Sequence, residues 1–174
     1  RCLVGSEMCI RDSISPPKDK HLISGDVLIL DTGCTFDGYF CDFDRNYALQ
    51  KADDDVRNAY RVVYQATDAG LEAAVPGNTA ADVFRAMNRV LETNGAKGGQ
   101  VGRMGHGLGM QLTEWPSNAV FDNTVLENGM VLTLEPGIQF GENKIMVHEE
   151  NLVIRKEGPQ LLTRRAPEEL PVIS

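Results

Sequence analysis

The 174-residue chain has no long apolar segment and comparatively few basic residues. No hydrophobic run approaches the roughly 20 residues that a helix needs to span a bilayer, so we predict no membrane partner. Asp and Glu (25) outnumber Lys and Arg (17), which leaves a formal net charge of −8. That charge repels phosphate backbones, so we expect no nucleic-acid partner either. The length suffices for one domain with its own hydrophobic core.

The first twelve residues differ in character from the rest of the sequence. They lack the apolar core of a signal peptide. For residues 4–12 the codons GTG GGC TCG GAG ATG TGT ATA AGA GAC are permitted, a string that resembles a transposase-type sequencing adapter translated in frame. We therefore interpret residues 1–12 as an artefact fused to a truncated gene fragment. A genomic sequence encoding the same residues upstream of Ser13 would contradict this interpretation.

Cysteine is scarce once that segment is set aside. Cys2 and Cys9 fall within it, and only Cys34 and Cys41 remain. Two cysteines form no disulfide framework, and they fit the reducing environment of the cytoplasm.

Hydrophobic periodicity predicts an α+β fold. The predicted strands cover residues 25–33, 37–49, 130–138 and 144–155. The predicted helices cover residues 52–75 and 78–95. The interval from Gly33 to Gly38 suits a hairpin connection, and Pro76-Gly77 separates the two helices. Asn78 or Thr79 is expected to cap the second helix. This order of elements predicts helices on one face of an antiparallel sheet.

Five potential metal ligands lie within or beside these strands and the glycine-rich loop. They are Asp31, Asp42, His106, Glu135 and Glu149. A hairpin brings the two aspartates together, and each glutamate interrupts an otherwise apolar strand. Burial of like charges without a cation is very costly, because each loses its hydration and they repel one another. Four carboxylates and one imidazole suit a pair of divalent ions, bridged by carboxylates at about 3.5–4 Å.

Each of these residues also has a simpler explanation. An aspartate at a strand end is usually a solvated turn residue, and a histidine in a glycine-rich loop more often makes a structural hydrogen bond. The loop from Gly105 to Gly109 suggests a phosphate cradle as a further alternative. It lacks the Gly-Lys-Ser/Thr ending of a P-loop, and the strands beside it carry too many carboxylates for a polyanion. The residue types alone leave a structural role and a metal site open.

Four ordered motifs resemble the pita-bread metallopeptidases, which include aminopeptidase P, prolidase and methionine aminopeptidase. The motifs are LDTGCTFDGYFCDFDR, GHGLGMQLTEWP, LTLEPGI and HEENLVI. The resemblance extends from about Pro16 to the last strand. It implies a pita-bread fold truncated on its N-terminal side, with a curved antiparallel sheet and helices on its outer face. Residues 13–174 are then part of a catalytic domain, and a homodimer is implied for the full-length protein.

The resemblance also implies roles for individual residues. Those that match the family's metal ligands are Asp31, Asp42, His106, Glu135 and Glu149. The implied cofactor is a pair of divalent ions, commonly Mn²⁺, Co²⁺, Fe²⁺ or Zn²⁺, which share a water molecule and lower its pKa. Glu135, beside that water, is implied to take its proton and to pass it to the leaving amine.

Two positions depart from the family pattern. Thr113 stands where the peptidases usually carry a second histidine, in His-Glu-x-Pro, that contacts the substrate carbonyl. A threonine hydroxyl donates one hydrogen bond but carries no positive charge near pH 7. Asp44 stands where the family prefers threonine, and strand alternation places it on the same face as Asp42. For Asp44, the alternatives are a hydrogen-bond acceptor that supports the site, an extra ligand, and a residue that only pairs with Arg45 or faces solvent.

These patterns predict a dinuclear metal-dependent hydrolase acting on a peptide or a small amide. The specific prediction is an Xaa-Pro aminopeptidase or dipeptidase. The alternative is a metal-dependent small-molecule C–N hydrolase or lyase on the same fold, similar to ectoine-type hydrolases or a sulfoniopropionate lyase. A non-catalytic binding module is a third hypothesis, against which the presence of all five ligands argues. The substitution at Thr113 bears on the substrate and not on metal binding.

Overall fold

The computed structural model describes residues 21–95, 102–142 and 144–174. The proposed adapter-derived segment 1–12 and the first part of the glycine-rich loop, 96–101, lie outside these ranges. The helices are α1 (Asp54–Ala73) and α2 (Ala80–Thr93). The strands are β1 (Val27–Phe36), β2 (Tyr39–Leu49), β3 (His106–Gly107), β4 (Glu114–Ser117), β5 (Val131–Leu134), β6 (Gly137–Gly141), β7 (Lys144–Val147), β8 (Glu150–Val153), β9 (Gln160–Leu161) and β10 (Val172–Ile173). The predicted α+β class is confirmed.

Strands β1 and β2 form the predicted hairpin, but the turn is tighter than expected. Both strands continue past Gly33, and the chain reverses at Asp37-Gly38. Both turn residues have positive φ values, 50° and 87°. Two-residue hairpin turns of this kind match the right-handed twist of the flanking strands. Behind the turn, the free thiols of Cys34 and Cys41 face each other with their Sγ atoms 3.4 Å apart.

The strands form three sheets, not one continuous sheet. Their strand orders are β1-β2-β10, β4-β3-β5-β8-β9 and β6-β7. Strand β10 runs parallel to β2, and every other pairing is antiparallel.

The two long strands predicted after residue 130 are each interrupted. Strands β5 and β6 are separated at Glu135-Pro136, and β7 and β8 at His148-Glu149. The interruptions lie side by side, since the backbone N–H of His148 donates to the carbonyl oxygen of Pro136 at 3.2 Å. Proline has no N–H to donate, so regular pairing cannot continue through this point. The two-stranded ribbon therefore passes from one sheet to the next where both glutamates lie.

Helix α1 packs against α2 and against β5, β6 and β7. The core between these elements is apolar, and Val63, Met87, Leu134 and Met146 are completely buried. Among the described residues, no helix combines the length and the apolar content that crossing a bilayer requires.

Helix α2 begins with a capping box at one of the two predicted cap residues. The Thr79 hydroxyl accepts a hydrogen bond from the Asp82 backbone N–H at 3.2 Å, and the Asp82 carboxylate accepts one from the Thr79 N–H at 2.8 Å. This exchange satisfies two of the N–H groups that a helix start leaves without partners. Thr79 is therefore the cap, and Asn78 instead donates from its side chain to the Ala73 carbonyl oxygen.

We expect the Thr79→Ala substitution to lower the free energy of unfolding by about 1 kcal/mol, because the Asp82 N–H loses its side-chain acceptor. Urea unfolding followed by circular dichroism measures the change. Thr79→Ser is the matched control, since it keeps the hydroxyl and should stay close to the wild type. Equal stability of the alanine and serine variants would show that the cap contributes nothing.

Candidate metal centre

The β1–β2 hairpin presents three carboxylates on one face. Asp31 pairs with Asp44, and Gly33 pairs with Asp42. Residues directly opposite each other in an antiparallel pair project to the same side, and so do residues two apart along one strand. The side chain of Asn151 in β8 fixes the backbone of Asp42, accepting from its N–H at 3.0 Å and donating to its carbonyl oxygen. The hairpin is thereby attached to the strand that follows Glu149.

A close backbone approach positions His106. Gly105 has a φ of 120°, and a Cβ atom there would lie 2.1 Å from the carbonyl oxygen of Thr133. Only glycine fits at this point. The Gly105 carbonyl accepts from the Asn118 N–H at 3.0 Å, and the His106 N–H donates to the Thr133 hydroxyl at 3.1 Å. The histidine backbone is therefore held from both sides.

The imidazole of His106 is held in the tautomer that binds metals. Its Nδ1 lies 2.9 Å from the carbonyl oxygen of Gly107, and because a carbonyl only accepts, Nδ1 carries the proton. Burial lowers the pKa of His106, which favours the neutral ring. The Nε2 lone pair is left free and lies 3.8 Å from Oδ2 of Asp42. A neutral histidine whose other nitrogen donates to a backbone carbonyl is a common arrangement at metal sites.

The two glutamates lie at the strand interruptions. Glu135 is partly buried, and its N–H donates to the Met104 carbonyl oxygen at 3.1 Å, close to the histidine loop. Glu149 is only 2% exposed, and its Oε1 has no hydrogen-bond partner among the described residues. Each carboxylate is thus carried by irregular backbone between two regular strands.

Four of the five predicted ligands converge, and Glu149 is shared between two groups. Ligand atoms of Asp42, His106 and Glu149 lie within 4.8 Å of one another, and so do those of Asp31, Asp44 and Glu149. We call these groups the Asp42 position and the Asp31 position. Glu135 belongs to neither group by this distance.

Burial and mutual repulsion act on the most enclosed carboxyl groups. Burial raises the pKa of Asp44 well above its usual value, and the charges of Asp31, Glu135 and Asp42 raise it further. Burial likewise raises the pKa of Glu149 far above its usual value, followed by the charges of Glu135 and Asp44. Each group favours protonation when no cation is nearby.

The outer carboxyl groups show the same effect to a smaller degree. Burial raises the pKa of Asp42 to about 6 with help from the Asp31 charge, and it also raises the pKa of Asp31. Burial and the Asp42 charge raise the pKa of Glu135 to about 7. The Arg103 guanidinium opposes the shifts at Asp42 and Glu135. Arg103 therefore adds positive charge on the side of the histidine loop.

These observations fit a divalent-metal centre. Among the described residues, no donor reaches the buried Oε1 of Glu149 or Oδ1 of Asp44, which is costly unless a cation is bound. Carboxylates with one imidazole are the donor set of hard and borderline ions such as Mn²⁺, Fe²⁺, Co²⁺ and Zn²⁺. The assignment of Asp31, Asp42, His106, Glu135 and Glu149 as ligands remains a prediction, made more specific by this geometry.

A buried network behind the cluster was not predicted from the sequence. The Arg45 guanidinium donates to the carbonyl oxygens of Asp44 at 2.6 Å and Glu149 at 3.2 Å. It also pairs with the fully buried Glu150 at 3.2 Å, which in turn accepts hydrogen bonds from the Thr163 hydroxyl and the Ala166 N–H. Arg45 therefore fixes the backbone of residues from both sides of the cluster. Partners more than 100 residues apart leave no local pattern in the sequence.

Thr113 lies at the surface of the protein. It is exposed, in the bend between β3 and β4. Beside this bend is a cavity of about 320 Å³, whose walls include Tyr39, Met110, Trp115 and Met130 and none of the predicted ligands. Tyr39, Met110 and Trp115 in these walls are exposed.

Comparison with known proteins identifies the class. Residues 2–157 match Metallopeptidase family M24, and the chain belongs to this family. The Xaa-Pro dipeptidase of Pyrococcus furiosus is 31% identical over 146 residues, which make up 84% of this chain and 42% of that protein.

Solved structures agree with this placement. A dipeptidase from Pyrococcus horikoshii OT3 has a TM-score of 0.89 at 29% identity, covering 99% of this chain and 48% of its own. An X-Pro aminopeptidase from Thermotoga maritima has a TM-score of 0.87 at 26% identity, with the same coverage. The predicted pita-bread fold is confirmed. The chain spans less than half the length of these relatives.

The pKa shifts predict that the metal-free protein loses stability as the pH rises above about 6.5. The pKa values of Glu135, Asp44 and Glu149 are higher in the folded protein than in the unfolded chain. The stability that these groups contribute is therefore complete below the unfolded pKa and is lost as the pH rises through the folded pKa. For each extra proton that the folded protein binds relative to the unfolded chain, the free energy of unfolding falls by about 1.4 kcal/mol per unit increase in pH. At pH 6.5 the two buried histidines, whose pKa values are lowered, are neutral in the folded protein but about half protonated when unfolded. Their remaining titration above pH 6.5 opposes the loss by only about 0.4 kcal/mol each.

Urea unfolding at pH 6.5 and 8.5, in the presence of a chelator, measures this effect. In a second series with Mn²⁺ and no chelator, the loss should be smaller, because a bound cation stabilises the ionised carboxylates. A metal-free protein that is equally stable or more stable at pH 8.5 would contradict the proposed electrostatics.

Proposed function

We propose that this chain carries the metal centre of a peptide hydrolase that cleaves Xaa-Pro bonds. The observation that carries the proposal is the convergence of Asp31, Asp42, His106 and Glu149 within a chain of the M24 metallopeptidase family. The relative from P. furiosus is named an Xaa-Pro dipeptidase, which supports this substrate class.

Two divalent ions fit the two groups of ligands. The Asp42 position would hold one ion through Asp42 and His106, and the Asp31 position would hold the other, with Glu149 between them. When bound, such ions lower the pKa of a water molecule toward neutrality and polarise the scissile carbonyl. The hairpin and the regular strands on either side of each interruption hold these side chains in place, which reduces the reorganisation that binding requires.

Glu135 is suited to move the proton. In the metal-free chain, burial and the Asp42 charge raise the pKa of Glu135 to about 7. Bound cations would lower this pKa, so Glu135 would be ionised and able to accept a proton. Glu135 is also less buried than Glu149. We assign it the transfer of a proton from the attacking water to the leaving amine, together with contact to an ion at the Asp42 position.

A small-molecule C–N hydrolase or lyase is the second candidate. The observation that favours it is Thr113, which leaves the cluster without the second histidine of the family motif. Such a site lacks one donor to the developing oxyanion, and a lost donor costs about 10²–10³ in rate for amide hydrolysis. The homodimer and the cytoplasmic location implied above remain predictions.

The central experiment combines metal analysis with a substrate panel. The proposal predicts about two divalent ions per chain, and turnover of Xaa-Pro dipeptides that a chelator abolishes and added Mn²⁺, Co²⁺ or Zn²⁺ restores. A panel of Xaa-Pro peptides, other dipeptides and small cyclic amides separates the two candidates. A protein that loads metal but cleaves only the small amides would replace the peptidase assignment with the second candidate.

The Thr113→His substitution tests the role of residue 113 in substrate turnover separately from metal binding. We expect it to leave metal content unchanged and to raise kcat/KM for Xaa-Pro peptides by up to about 10²-fold, because it returns a charge-capable donor near the substrate carbonyl. Gln111→His, an equally exposed neighbour, is the matched control and should change neither quantity. A large loss of metal in the Thr113 variant would refute the placement of this residue.

A further inference from the structure

Asp44 is a third hairpin carboxylate whose position calls for an explanation. It pairs directly with Asp31 across the β1–β2 hairpin and is only 4% exposed. One of its carboxylate oxygens lies within 4.8 Å of ligand atoms of both Asp31 and Glu149. Carboxylates therefore meet here from β1, from β2 and from the β7–β8 interruption.

The guanidinium of Arg45 makes no hydrogen bond to Oδ1 of Asp44. Nη1 of Arg45 donates to the main-chain oxygen of Asp44 at 2.6 Å, and Nη2 is directed to Glu150 and to the Arg164 carbonyl oxygen. Oδ1 of Asp44 has no hydrogen-bond partner among the described residues. The ion pair with Arg45 considered from the sequence is therefore not formed through this oxygen. A buried acceptor without a donor is unfavourable, and a cation would relieve it.

We propose that Asp44 is itself a metal ligand, binding the ion at the Asp31 position together with Asp31 and Glu149. The inference rests on the metal centre of the proposed function, and it adds a donor at a place where threonine stands in the family motif. Because Asp44 lies directly opposite Asp31, its carboxylate would bind the same ion as Asp31. The ion at the Asp42 position, beside His106, would be bound without Asp44.

The added ligand makes the two positions chemically different. Within the part of the chain that the structure describes, the Asp31 position offers only carboxylate oxygens, whereas the Asp42 position includes the His106 nitrogen. Oxygen-only sites suit hard ions such as Mn²⁺, and imidazole suits Zn²⁺. Asp44 should therefore bias the Asp31 position toward Mn²⁺ over Zn²⁺.

Metal titration of Asp44→Asn and Asp44→Thr tests this assignment. Calorimetry with MnCl₂ on the chelator-treated 174-residue chain should show two sites in the wild type. Both variants should keep one site within about twofold and bind the second about 10- to 100-fold more weakly. The visible spectrum of the Co²⁺-loaded protein should change with the loss of one ligand, independently of any activity. The preference for Mn²⁺ over Zn²⁺ at the weakened site should fall as well.

Asp37→Asn is the matched control, since it removes the same charge from the exposed turn of the same hairpin. It should leave both affinities and the spectrum unchanged. Variants of Asp44 with wild-type affinities and spectrum would overturn the inference and leave the proposed function standing. A wild-type chain that binds no divalent ion would overturn both. If the Asp44 variants do not fold, a crystal structure of the wild type grown with MnCl₂ decides, according to whether an Asp44 oxygen lies at bonding distance from an ion.

Discussion

Mutual repulsion among buried carboxylates dominates the electrostatics of this structure. Five acidic side chains approach one another at a site where two of them, Asp44 and Glu149, are almost wholly excluded from solvent. Without a cation they stay stable only by holding protons, which the raised pKa values reflect. A protein that maintained this arrangement for packing alone would gain nothing from it, because apolar residues of similar volume fill a core at lower cost. The arrangement therefore has a chemical purpose, and divalent cations are the partners that the donor atoms suit.

Three features of the fold hold these charges together. The tight turn at Asp37-Gly38 fixes the register that places Asp31 opposite Asp44. The paired strand interruptions allow Glu135 and Glu149 to leave the regular alternation of the sheet. The Arg45 guanidinium binds the backbones of Asp44 and Glu149, and the Asn151 side chain binds the backbone of Asp42. One cation and one neutral amide therefore hold the backbone of the acidic cluster in place. The cluster is thus built from sheet geometry, and the helices contribute the core that supports it.

Much of this could be predicted from the sequence, and the exceptions have physical causes. Apolar periodicity placed α1, α2 and the hairpin strands within a few residues, and Thr79 was one of two predicted caps. The strand interruptions were missed because apolar residues continue on both sides of Glu135 and Glu149, although Pro136 was a local signal of the first. The dipeptide Asp37-Gly38 favours a two-residue hairpin turn and therefore indicates the register of β1 and β2. The prediction used the wider interval from Gly33 to Gly38 and missed that register. The contacts of Arg45 depend on tertiary packing and have no counterpart in local sequence.

The number of protons released when metal binds shows whether the buried carboxyl groups are protonated in the metal-free protein. If buried carboxyl groups hold protons until a cation replaces them, calorimetric titration with MnCl₂ at pH 6.5, repeated in buffers of different ionisation enthalpy, should show more than one proton released per chain. The release should decrease at higher pH as the carboxyl groups ionise before the metal arrives. Binding without proton release, or no binding at all, would contradict the account.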